Sequence, residues 1–194
     1  MQKRFERAIH HHRRSLTSLV QRLESGALDA DEFGDSFDAL LWKAHTDGVV
    51  LGRQHGGDRA RANEDDELLG LEIKDGESEY LNNFIEDIKA GRYTDADGNL
   101  RVGAVKQRAN LYISKVRGTA NEAFVNASDD DELFDWIMLG TEHCDDCPQF
   151  AALSPFTKSE LYTYPGAGDT ECLGNCQCIL VRRSDGKEGF KPVG

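Results

Sequence analysis

No apolar run in this 194-residue chain approaches the roughly 20 residues that cross a bilayer, so a membrane-spanning helix is excluded. Basic residues near the start are not followed by an apolar stretch, so no secretory signal is expected. Phosphate-binding P-loop, HExxH, GxSxG and dinucleotide fingerprints are all missing. No H-x-E precedes a P-C-x-x-C, which excludes the zinc-deaminase arrangement. There is no internal repeat and no low-complexity tract. Cysteine is absent from most of the chain: all five lie between residues 144 and 178.

What remains is 39% hydrophobic and 30% charged, a balance that suits a soluble domain with a modest core. Formal net charge is −12, unevenly placed. Residues 1–24 hold Lys3, Arg4, Arg7, Arg13, Arg14 and Arg22 against Glu6 and Glu24, a net +4, which leaves −16 for the rest. An acidic body repels phosphate, so nucleic-acid contact is disfavoured except through the basic N-terminal helix.

Hydrophobic spacing predicts about four helices over residues 1–130. Phe5, Ala8, Ile9, Leu16, Leu19, Val20 and Leu23 recur mostly at three, four and seven, an amphipathic helix over 2–24 that Ser25-Gly26 ends. Asp29 or Asp31 caps a second helix to about Gln54, in which Gly34, Gly48 and Gly52 allow another helix to come close. Residues 57–66 read as a mobile loop. A third helix is expected from about Asp66 to Ala90, weakened by Gly70 and Gly76, and a fourth from about Val102 to Ala127. The turn from Thr94 to Asn99 only superficially resembles a calcium loop, its glycine coming too early and the distal Glu missing. His10-His11-His12 would point in three directions on a helix. After the acidic break 128–132, Leu133–Leu139 reads as a strand with Trp136 inside it. The fold class expected is mainly α with a small C-terminal α+β, zinc-knuckle-like module over about 131–194.

The cysteines form Cys144-x-x-Cys147, then 24 residues, then Cys172, Cys176 and Cys178. A CxxC turn puts two thiolates on one side of a tight loop, and a second group from the far end can complete a tetrahedral site, the geometry zinc favours. In a reducing cytoplasm metal ligation is favoured over disulfides, and with five cysteines either arrangement leaves one free. Residues 140–194 are rich in Gly, Pro, Asp and Ser with few large apolar groups, so a staple is expected to hold them. Structural zinc contributes on the order of 10 kcal/mol to such folds. Two of Cys172, Cys176 and Cys178 would complete the set, with His143 as a substitute. Asp145, Asp146 and Glu142 lie nearby and are expected to be solvated or to sit outside the ligand shell.

The order of features resembles a family. Arg117-Gly118-Thr119-Ala120-Asn121-Glu122-Ala123 ends a long helix. The Trp136 strand, Cys144-x-x-Cys147, and Asn175-Cys176-Gln177-Cys178 before an apolar strand follow. This resembles the C-terminal part of the Mu F-like minor head proteins of tailed phages, over about residues 105–183. On that resemblance Cys144, Cys147, Cys176 and Cys178 match the family's cysteines. The family's His-Pro before the last pair is absent here, and Cys172 stands one place upstream of that His. The resemblance implies a minor virion protein made in the host cytoplasm and carried in the head, assembling near the portal with portal or capsid proteins or further copies of itself. From other classes, a zinc-stabilised regulatory or host-interaction protein and a small metalloenzyme stand as alternatives.

Overall fold

The computed structural model describes residues 1–58, 60–140 and 143–194. Among these, five helices precede residue 130: α1 (Gln2–Glu24), α2 (Ala30–Gly56), α3 (Glu64–Asp75), α4 (Ser78–Lys89) and α5 (Val102–Asn126). Strand β1 (Leu133–Ile137), helix α6 (Asp146–Leu153), strand β2 (Phe156–Thr157), a 3-10 turn (Leu173–Asn175) and β3 (Ile179–Arg182) complete the order. The chain is mainly helical with a small C-terminal α+β module, as its patterning implies.

Local chemistry sets the ends. Asp29 accepts from the Glu32 N–H while Glu32 reaches back to the Asp29 N–H, a capping box that starts α2. Asn63 and Asp66 repeat the device at α3. The expected third helix is two helices. Gly76 caps α3, and Glu77 buries its carboxylate against Lys115 of α5, Oε1 to Nζ at 3.0 Å, before α4 begins at Ser78. The supposed mobile loop is shorter than expected, because its last residues form the first turn of α3. Arg53 ties its ends together, reaching Asp58 at 2.6 Å and Asp66 at 2.7 Å.

Helices α2 and α5 form the centre. Gly52 makes this possible: a Cβ there would lie 2.7 Å from the Ala123 Cβ and collide with the Ala120 carbonyl. Of the three histidines in the run at 10–12, His12 is buried, with Nε2 2.9 Å from Asp47, while its neighbours face outward.

The sheet is antiparallel in the order β2-β1-β3, with Trp136 opposite Leu180 and Phe134 opposite both Arg182 and Phe156. Period two turns Phe134 and Trp136 inward. Trp136 stacks on Phe150 of α6, ring centres 4.5 Å apart. The segment after residue 140 buries more than its composition implied. Phe150, Phe156, Leu161, Leu180 and Phe190 join the same continuous cluster as Phe5, Phe37 and Phe124 of the helices. It completes the helical core instead of forming a separate one. No helix among the described residues is long and apolar enough to cross a membrane.

Candidate metal centre

The last three turns of α5 are the seat on which the cysteine segment rests. Asn121 donates to the Pro165 carbonyl at 2.9 Å and accepts from the Phe190 N–H at 2.7 Å. A Cβ at Gly118 would collide with the Ala167 backbone, so only glycine lets that loop lie flat on the helix. Arg117, 3% exposed, donates to the Cys176 carbonyl and to the Cys178 carbonyl at 3.2 Å. The run from Arg117 to Asn121, noted in the sequence for its family likeness, is thus the docking face for residues 165–190.

On that seat all five cysteines come together. Cys144 leads into α6 and Cys147 lies in its first turn. Cys172 precedes the 3-10 turn, and Cys176 and Cys178 run from it to β3. The Cys144 sulfur is 3.3 Å from that of Cys147 and 3.4 Å from that of Cys172, and Cys147 to Cys172 is 3.7 Å. Cys176 lies 3.9 Å from Cys147. A second close group is Cys147, Cys176 and Cys178, so Cys147 is common to both. Backbone ties hold the two halves in register: the Glu171 N–H donates to Asp146 at 2.9 Å and the Asp145 N–H donates to Glu171 at 3.2 Å. Asp145 and Asp146 therefore sit beside the sulfurs as positioning groups. His143 bonds the Gly140 carbonyl at 3.3 Å and belongs to neither sulfur group. Glu142 lies outside the described residues.

The triangle of Cys144, Cys147 and Cys172 has the spacing of three corners of a tetrahedral thiolate site. Bonds of about 2.3 Å at tetrahedral angles place sulfurs about 3.8 Å apart, close to the spacings found. A disulfide joins sulfurs two at a time at about 2.05 Å, whereas here Cys144, Cys147 and Cys172 form a triangle of near-equal sides. Without an ion the buried members favour the neutral thiol. Burial pushes Cys147 well above the ordinary thiol range and Cys172 up to about 11. The Cys178 contact, then burial, raises Cys176. Burial also opposes ionisation of Cys144, but the bonds from Cys147 and Cys172 outweigh it and lower its pKa. An ion would displace these protons, and Arg117 is the positive charge already in place to face the thiolates. No carboxylate pairs with Arg117 among the described residues.

Sequence reasoning found the five cysteines by spacing alone. It missed α6, whose Phe150 is the one large apolar anchor in eight residues, and it took Arg117 only as part of the family-like run, without its bonds to the Cys176 and Cys178 carbonyls. Compared with protein-family models, curated proteins and solved structures, the chain matches none.

Proposed function

We propose that this chain is a zinc-stapled structural protein of a tailed-phage head, a minor component made in the host cytoplasm and built into the virion near the portal. The observation that carries the reading is the joining of the CxxC turn to the cysteines before β3 on the Arg117–Asn121 face of α5. These are the features in which the sequence resembles the Mu F-like minor head proteins, and they form one physical unit. Cys144, Cys147, Cys172 and Cys176 would hold the ion, with Cys172 taking the place of the family's histidine and Cys178 left as a thiol beside them. Zinc supplies there a redox-inert cross-link between four thiolates. The cross-link ties α6 to the strand that closes the sheet, and Arg117 offsets part of its negative charge.

In this reading the protein's work is done by shape and contact. Its acidic body stays off packaged DNA, and its partners are portal or capsid proteins or further copies of itself. Two measurements test it. Elemental analysis of the purified chain is expected to give about one zinc per chain, and a metal-free chain of full native stability removes the staple. Mass spectrometry of purified particles from the producing phage is expected to find the chain in the head. Its consistent absence from particles, with its gene remote from portal and packaging genes, removes the virion role.

A further inference from the structure

A second site lies apart from the cysteines. A cavity of about 490 Å³ opens between α5, the α3–α4 junction and the loop around residues 167–174. That volume is in the range of small-molecule sites. Its floor is one stripe of α5, from Arg108 through Tyr112, Lys115 and Thr119 to Glu122, at spacings of three and four. The stripe is roughly 21 Å long at 1.5 Å per residue.

Three residues that line this cavity each carry a buried polar atom with no hydrogen-bond partner among the described residues: His45 Nε2, Glu77 Oε2 and the Tyr112 hydroxyl. His45 is fully buried, its other nitrogen 2.7 Å from the Thr119 hydroxyl. Glu77 is 7% exposed and Tyr112 4%. A buried polar group left unpaired costs about 1–3 kcal/mol, and native folds hold few of them. They come from α2, the α3–α4 junction and α5, three elements that line the cavity.

The charge lining says which guest. Glu77, Glu122 and Asp169 face Lys115 and Arg108. Lys115 is committed to Glu77 at 3.0 Å, with its ammonium also 5.8 Å from the Tyr80 ring centre. Arg108 stands over the Tyr112 ring at 5.7 Å. No cation pairs with Glu122 or Asp169 among the described residues. Burial first, then the charges of Asp169 and Glu72, push the Glu122 carboxyl upward. No three carboxylate, imidazole or thiol donors of the cavity lie within 4.8 Å of one another among the described residues, a spread too wide for one bare metal ion.

We infer that this cavity binds a small organic cation, an amine or guanidinium compound, whose charged nitrogen is matched to Glu77, Glu122 and Asp169 and whose chain lies along α5 toward Tyr112. Tyr80 and Tyr112 offer ring faces that already accept cations from the chain itself. An anion would meet three carboxylates and find only Arg108 unpaired.

Isothermal titration of the full chain with 1,4-diaminobutane, agmatine and, as the anionic counterpart, glutarate tests this. The expected result is saturable one-site binding of at least one amine and none of glutarate. Glu122→Gln is expected to weaken the amine at least tenfold with an unchanged unfolding midpoint, while Glu64→Gln, on the exposed start of α3, leaves it unaltered. Glu77→Gln also breaks the pair with Lys115, so Glu122→Gln is the deciding variant. Failure of both amines to saturate, glutarate binding as tightly, or an affinity unmoved by Glu122→Gln each overturns the assignment.

Discussion

The guanidinium of Arg117 donates to the main-chain carbonyl of Cys176, 59 residues further along the chain, and one of its other N–H groups reaches the Cys178 carbonyl. A buried cation bound only to carbonyl dipoles is costly unless a negative charge lies close. Thiolates at the cysteine centre would be that charge. Arg117→Met is therefore expected to weaken zinc affinity by about 10–100-fold, the usual effect of losing a group that supports the ligands. Arg117→Lys keeps the charge but not the two-pronged geometry, and should fall between. Competition with a chromophoric chelator at neutral pH measures both. An Arg117→Met protein that folds and holds zinc as tightly as the parent would show that Arg117 serves packing alone.

The five sulfurs are not equivalent. Cys144, Cys147 and Cys172 are mutually within 3.7 Å, while Cys176 and Cys178 group with Cys147, Cys176 at 3.9 Å from it. Serine at Cys144, Cys147, Cys172 or Cys176 is expected to release the ion. A loss of about 5 kcal/mol would lower the unfolding midpoint by roughly 10–20 °C for a chain of this size. Cys178→Ser should retain about one zinc per chain, with a small loss from placing a hydroxyl in a buried position. Mass-spectrometric zinc counting on the five variants decides the matter, and retention in Cys176→Ser with loss in Cys178→Ser would exchange the two roles.

Much of this arrangement was legible in the residues, for identifiable reasons. Phe5, Ile9, Leu16 and Val20 recur with the helical period, so α1 could be placed from spacing alone, and Asp29 with Glu32 announces the start of α2. Gly76 was visible as a weakness but not as a break. A glycine costs only about 1 kcal/mol in a helix, and the pair of Glu77 with Lys115 that accompanies the break is a contact between distant segments. Helix α6 stayed hidden because cysteine and proline at its start read as loop. The choice among Cys172, Cys176 and Cys178 depends on how residues 148–171 fold back onto Gly118 and Asn121, a contact between distant segments that spacing cannot report. His45, and the part Arg117 plays, were invisible for a related reason: a polar residue on a buried helix face announces nothing until its partner on another element is known.

Two glycine substitutions should move stability in opposite directions. At Gly52 a methyl group would lie 2.7 Å from the Ala123 Cβ and strike the Ala120 carbonyl, so α2 and α5 must separate. The intrinsic helix gain of about 1 kcal/mol is smaller than the overpacking cost of about 1–3 kcal/mol or more. Gly52→Ala is expected to lower the unfolding midpoint by several degrees. Gly103, in the first turn of α5, has nothing within 4 Å of the same position. Gly103→Ala should raise the midpoint slightly, by up to about 1 kcal/mol of stability. Thermal unfolding of the two variants side by side checks the sign of each, and a stabilised Gly52→Ala would mean the α2–α5 contact is looser than described.

His45 makes the fold sensitive to acid. Burial first, then the nearby charges of Lys115 and His12, hold its imidazole down to about 3, far below its ordinary value of 6.5. The fold thus selects the neutral ring, while the unfolded chain takes up a proton as the pH drops below about 6.5. The stability this contributes is present in full above that pH and is lost as the pH falls toward 3, at up to roughly 1.4 kcal/mol per unit. His45→Gln keeps a group able to bond Thr119 and cannot titrate. It should be less stable than the parent at pH 7 but lose less between pH 6.5 and 4. With a metal ion bound, the cysteine centre would also loosen in acid as its thiolates take up protons, but that contribution is common to both proteins and cancels in the difference between their curves. Denaturant unfolding of parent and variant at pH 7, 6, 5 and 4 gives that difference. If the two fall in parallel, His45 accepts its proton within the fold and the depressed pKa is refuted.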